Sequence, residues 1–225
     1  MSEGTLAAAA VTAGALLLGA PYLARLSLSV PVVDDAAWWR WRPVAGRRVI
    51  VVAVAGVVLG ALAGASARWS ALLPAWIALA LCCTPLAVID VEHHRLPNRL
   101  MFPAAGLGAA LLAVAALSSG DWSRLLRAVE AAAVVYGLFL AICLVATFGY
   151  GDVKLGGVLA GYLGWFGWGH VLYGIMAGFV LACLVSLPLL LSKRANMKSA
   201  IPLGPSLIVG AFLVAAFDLV PGYLS

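Results

Sequence analysis

Phe148-Gly149-Tyr150-Gly151-Asp152-Val153-Lys154-Leu155 joins two long apolar runs and sets an acid and a base beside two glycines. A carboxylate at the edge of such runs is expensive in a bilayer, so it is expected to face a water-filled cavity or a partner. The nearest comparable acid is Asp90. It closes the apolar run 79–89 and is followed by Val91-Glu92-His93-His94-Arg95-Leu96-Pro97-Asn98-Arg99-Leu100.

The rest of the chain fits a membrane setting. Of its 225 residues 64% are hydrophobic and 10% charged, and the mean hydropathy is +1.08. That is far more apolar surface than a soluble domain of this length can bury, so the expected fold is all-α, a polytopic transmembrane bundle. Eight apolar runs are expected to be helices, at about residues 5–28, 49–65, 74–90, 103–117, 128–148, 155–166, 170–191 and 202–219. The sixth is short for an ~30 Å hydrocarbon core. Gly56, Gly60 and Gly64 recur every four residues, which lines small residues along one helix face as a packing seam. The pairs Gly157 with Gly161 and Gly174 with Gly178 predict the same in later helices. Ser118 to Arg124 reads as a polar connecting loop.

The net charge of +5 comes from short basic clusters between apolar runs rather than from one basic face. Clusters of that kind set topology. The start Met1-Ser2-Glu3 lacks a basic segment, while Arg25 ends the first run, which predicts a retained first helix with its N-terminus outside. Eight crossings then place Arg25, Arg40, Arg42, Arg47, Arg48, Arg95, Arg99, Lys154, Lys193, Arg194 and Lys198 on the cytoplasmic side. Arg68, Arg124 and Arg127 fall on the other; eleven and three account for all fourteen basic residues. Asp90 and Asp152 both come out at the cytoplasmic boundary. The expected organisation is a first transmembrane helix over residues 1–30, a short basic and aromatic cytoplasmic loop over 31–48, and a membrane core over 49–225.

That loop interleaves Trp38, Trp39 and Trp41 with Arg40 and Arg42. Such interleaving can stack single-stranded nucleic acid, but beside a span it is what a headgroup-level segment needs. Membrane lipid is the expected partner and nucleic acid is not. Cys82, Cys83, Cys143 and Cys183 all sit in apolar runs with no Cys-x-x-Cys spacing, which argues against a zinc site or disulfide framework. His170, between Trp168 and Tyr173, is expected in an aromatic belt at the outer face.

The two aspartate segments, an Asp before a Leu-Pro-Asn turn and a later Gly-Tyr-Gly-Asp-Val-Lys-Leu, resemble the paired signatures of type IV prepilin peptidases, membrane aspartic proteases. Ile201-Pro202-Leu203-Gly204-Pro205 is similar to a late element of that family with one substitution, and the resemblance runs over about residues 72–212. It implies a bacterial cytoplasmic-membrane endopeptidase for type IV pili or protein secretion. Its substrate would be a prepilin or pseudopilin, cut between a short basic leader and an apolar helix, with Asp90 and Asp152 as catalytic pair and no cofactor. Many members carry a zinc-holding domain of two Cys-x-x-Cys pairs after the first span and also N-methylate the new amino terminus. Here that loop is short and has no cysteine, so peptidase activity is expected and methyltransferase activity is not.

Two carboxylates cleave a peptide bond when one is ionised and takes a proton from water while the other is protonated and donates to the carbonyl oxygen. Neighbouring carboxylates reach that state themselves, because the first charge raises the cost of the second. Glu92, His93, His94, Pro97, Asn98, Gly149, Gly151 and Lys154 are the expected supporting or substrate-contacting residues. Pro97 ends the helix of Asp90, and Asn98 is placed to cap the next. The two glycines leave the backbone beside Asp152 unusually free, and Lys154 anchors the boundary.

Two alternatives belong to other classes. Asp90, His93 and His94 at i, i+3 and i+4 could share a helix face and, with Asp152, hold a metal for a metal-dependent protease, although no His-Glu-x-x-His is present. A transporter or silent assembly factor could also use intramembrane acids. It would be expected to show related halves or interrupted helices at mid-membrane.

Overall fold

In hydrocarbon each backbone N–H and C=O has to find its partner within the chain, so apolar runs of this composition fold as helices. The computed structural model describes residues 2–29, 44–145, 149–191 and 202–220, and all regular structure among them is α-helical. In chain order the helices are α1 Glu3–Ser29, α2 Gly46–Ala67, α3 Leu73–His93, α4 Asn98–Ser119, α5 Trp122–Val145, α6 Tyr150–Gly164, α7 Trp168–Leu191 and α8 Gly204–Phe217.

Each apolar run contains one helix, but not all are equally long. α1 to α5 and α7 are long and apolar enough to cross a membrane. At 1.5 Å per residue α6 and α8 rise only about 22 and 21 Å, short of an ~30 Å core. Of the eight expected crossings, six are full-length helices; α6 is short as expected, and α8 is short as well.

Helices in lipid associate through close van der Waals contact, since lipid tails are as apolar as side chains. The glycine spacings supply that contact. A Cβ at Gly60 would lie 2.8 Å from the Thr12 carbonyl oxygen and 2.9 Å from Ala13 Cα, so α2 lies backbone to backbone on α1. Thr12 Oγ1 bridges the same seam by donating to the Gly60 carbonyl. Gly156 and Gly157 abut Phe139 and Tyr136 of α5, and Gly178 abuts Leu207 of α8.

α3 is the central helix: 67% of its best apolar window is buried within the protein, against 22% for α5. At its start Trp76 is fully buried and meets Phe212 of α8 edge-on, with ring centroids 5.1 Å apart, and Tyr162 of α6 at 5.7 Å. Burial of these rings joins α3, α6 and α8 at one end of the bundle, so the other end of each helix is held in register.

Two differences from the sequence reading concern polar residues. The expected loop from Ser118 to Arg124 is only Gly120 and Asp121; Trp122, Ser123 and Arg124 form the first turn of α5. Gly120 closes α4 with φ 71°, a left-handed conformation open to glycine. His170 is buried rather than part of an exposed belt. It bonds Asp218 through Nε2 at 2.9 Å and packs on Phe166, which ties α7 to the end of α8. Beside it Arg127 donates to the carbonyls of Gly164 and Trp165, satisfying orphan acceptors at the end of α6.

Candidate functional site

The end of α3, the turn after it and the start of α6 enclose a polar cavity of about 470 Å³. Asp90 enters it from the last turn of α3 and Asp152 from the first turn of α6. α3 stops where His94 takes a left-handed conformation, φ 51°, with its N–H donating to the Asp90 carbonyl at 2.9 Å. The chain then turns through Pro97, which is itself the N-cap residue of α4.

Asp90 is buried, and its Oδ2 accepts a 3.0 Å hydrogen bond from the backbone N–H of Gly204 at the start of α8. Asp152 is half-buried. Both carboxyl groups thus line one cavity.

His94, Pro97, Asn98, Gly149, Gly151 and Lys154 line the same cavity, along with Ile89, Arg95, Leu96 and Tyr150. Glu92 and His93 do not. Glu92 turns away to a two-pronged contact with Arg48 of α2, at 3.1 and 2.8 Å, and His93 stands beside Glu92 at 3.9 Å. The helical face proposed for Asp90, His93 and His94 is broken because the helix ends at His94. Among the described residues no three His, Cys, Asp or Glu side chains gather as metal ligands.

Asn98 is the first residue of α4 and makes no cap bond. Its Oδ1 instead accepts a 2.6 Å bond from Lys154 Nζ, which also lies 4.5 Å from the Tyr150 ring centre. Lys154 is thus a cross-brace between α4 and α6. The two glycines serve by lacking a side chain rather than by unusual backbone angles. Gly149 is in an ordinary extended conformation and Gly151 is helical. A Cβ at Gly149 would lie 2.8 Å from Asp152 Oδ2, and one at Gly151 would lie 3.0 Å from Leu96 Cβ.

Tyr150 and Lys154 also line a second, largely apolar cavity of about 640 Å³ between α4, α5 and α6. Its walls include Phe102, Ala105, Ala132, Gly157 and Gly161, and Tyr136 meets Tyr150 there through their hydroxyls at 3.0 Å.

Residues 76–191 match the model of the type IV leader peptidase family. The chain belongs to that family. It is 32% identical over 158 residues to a "Prepilin leader peptidase/N-methyltransferase" of Pseudomonas putida, an alignment covering 67% of this chain and 50% of that protein. A protein of the same description from Stutzerimonas stutzeri is 28% identical over 131 residues, covering 57% and 44%. The chain spans about half the length of the curated relatives it matches. No solved structure matches it. With six span-length helices among the described residues, it is a multi-pass protein of the bacterial inner membrane.

Sequence reasoning missed Gly204 and Arg48 as parts of this region. The signal for Gly204 lies in Ile201-Pro202-Leu203-Gly204-Pro205, a family-like element whose sequence does not name its partner. Arg48 read only as one of several topology-setting cations. Its bond to Glu92 joins residues far apart in the chain, and no local pattern encodes it.

Proposed function

We propose that this chain is an aspartic endopeptidase that removes the short basic leader from type IV prepilins or pseudopilins at the cytoplasmic face of the membrane. The observation that carries this is the meeting of Asp90 and Asp152, from helices far apart in sequence, on one polar cavity at the end of the bundle. One carboxylate activates water and its protonated partner polarises the scissile carbonyl. Family membership supports the reaction class, and the two relatives, both described as prepilin leader peptidases, support the substrate.

The eleven-to-three distribution of basic residues supports an outside N-terminus and a cytoplasmic cavity. In this organisation residues 1–30 are the first span, 31–48 a short cytoplasmic loop and 49–225 the peptidase core. Most of that loop, residues 31–43, lies outside the described residues, as do Lys193, Arg194 and Lys198. An extended leader junction at the membrane surface has amides free for the site, whereas the apolar helix after it keeps its own satisfied.

The test is leader cleavage of a co-expressed prepilin by Asp90→Asn and Asp152→Asn. Each variant is expected to reach the membrane in normal amount and to lose at least about 10³-fold in cleavage, since neither acid alone fills both proton roles. Retained cleavage in either variant overturns the dyad.

A further inference from the structure

We propose that Gly204 is the residue that makes the two aspartates unequal: its backbone N–H holds Asp90 in place as the charged member of the pair, leaving Asp152 to carry the proton. This rests on the aspartic peptidase reading above and assigns the roles within it.

The asymmetry is geometric. Asp90 Oδ2 receives the Gly204 N–H at 3.0 Å, and that N–H belongs to the first residue of a 14-residue helix. The first amides of a helix have no intrahelical acceptor and carry the positive end of its dipole, so a carboxylate placed there is favoured in its ionised form. The site is built for close approach. A Cβ at position 204 would lie 2.7 Å from Asp90 Oδ2 and 3.2 Å from its Cγ, so only glycine lets the helix come this near. Pro205 follows directly and fixes the first turn, since its missing N–H falls among amides with no intrahelical partner.

The other ionisable side chains on the cavity are those of His94 and Arg95 just after α3, and Asp152, Lys154 and Tyr150 on α6. The Lys154 ammonium is engaged by Asn98 Oδ1 and the Tyr150 ring. Asp152 also sits in the first turn of a helix, α6, where the missing side chain of Gly149 leaves room for its Oδ2; what sets Asp90 apart is the 3.0 Å amide bond it accepts from a different helix.

The resulting step is balanced. Asp90 takes a proton from water as the water oxygen bonds to the carbonyl carbon, and Asp152 passes its proton to the carbonyl oxygen. On collapse the C–N bond breaks, Asp90 returns a proton to the departing amine, and Asp152 recovers one from a hydroxyl of the tetrahedral intermediate.

The full-length protein in detergent is treated with a small epoxide, which alkylates an ionised carboxylate and is assisted by a neighbouring acid proton. The modified residue is then mapped by mass spectrometry. The expected label is on Asp90. In Gly204→Ala the atom crowded by the new methyl is the end of the Asp90 side chain rather than backbone, so the helix packing survives and the carboxylate is displaced. Labelling of Asp90 is expected to fall, and kcat to fall about 10²-fold with KM little changed, as for an ångström-scale misplacement of a reacting group. Label on Asp152 in the wild-type protein overturns the assignment, as does a Gly204→Ala protein that melts normally and labels Asp90 at the wild-type rate. If the wild-type protein labels at Asp90 but cleaves no prepilin, the proposed substrate fails and the role of Gly204 stands.

Discussion

Replacing Arg48 by methionine keeps most of the apolar stem and removes a guanidinium that joins three helices. Nε donates to Ser27 Oγ at 2.9 Å and Nη2 to the Ser27 carbonyl at 3.0 Å, both at the end of α1. Nη1 and Nη2 reach the two Glu92 oxygens of α3 at 3.1 and 2.8 Å. The two halves of this contact differ in worth. Glu92 is 40% exposed and the Arg48 side chain 15%, so the ion pair is discounted for solvent and contributes about 0.5–1 kcal/mol. The bonds to Ser27 supply a charged donor to a carbonyl in the last turn of α1, which contributes about 1.5 kcal/mol at the low end of its range. Arg48→Met is therefore expected to destabilise by about 2 kcal/mol and Glu92→Gln by about 0.5 kcal/mol, with a coupling between them of no more than about 1 kcal/mol in a double-mutant cycle. The assay is reversible unfolding in mixed micelles by added dodecyl sulfate, followed by tryptophan fluorescence. If Arg48→Met loses no more than Glu92→Gln, the Ser27 half contributes nothing and the three-helix tie is wrong.

Gly60→Ala is expected to destabilise by about 1–2 kcal/mol in the same assay, because the new methyl meets backbone of Thr12 and Ala13 inside 3 Å; this outweighs a helix-propensity gain of about 1 kcal/mol, and a stabilised variant would contradict the seam. For orientation, single cysteines near Asn98 and Asn196 in a background lacking the native four should be shielded from an impermeant thiol reagent in intact cells, while one near Ser119 reacts; the reverse pattern refutes a cytoplasmic site. Cleavage without methylation is expected because the loop at 31–48 has no cysteine for a metal-stapled domain. Mass spectrometry of a pilin matured in cells lacking other methyltransferases decides it, and one added methyl on the new amino terminus counts against the expectation.

The eight helices are legible because each is an apolar run bounded by Gly, Pro or charge, and a lipid solvent leaves such runs little else to form. The ends were harder to read. Trp122, Ser123 and Arg124 look polar enough for a loop, yet a helix needs only a few intrahelical bonds to begin, and its first turn tolerates exposed polar side chains. Asp90 and Asp152 stood out because acids are rare in such runs. Their neighbours were misjudged wherever helical geometry was extended past a real stop: His93 and His94 share a face with Asp90 only if α3 continues, and the left-handed His94 ends it. Contacts such as Gly204 with Asp90 depend on packing between distant helices and leave no periodic trace in either segment.

The bond from Gly204 to Asp90 also dates the assembly of the site. Helices leave the ribosome in chain order, and α8 is made after the other seven. Until it has inserted and packed against α3, Asp90 has no amide to face and its carboxylate lies in a half-built bundle. Under the roles proposed for the two aspartates, both are made before α8, but the contact that distinguishes them forms only when α8 docks against α3. Synthesis of both acids and completion of their arrangement are then separate events.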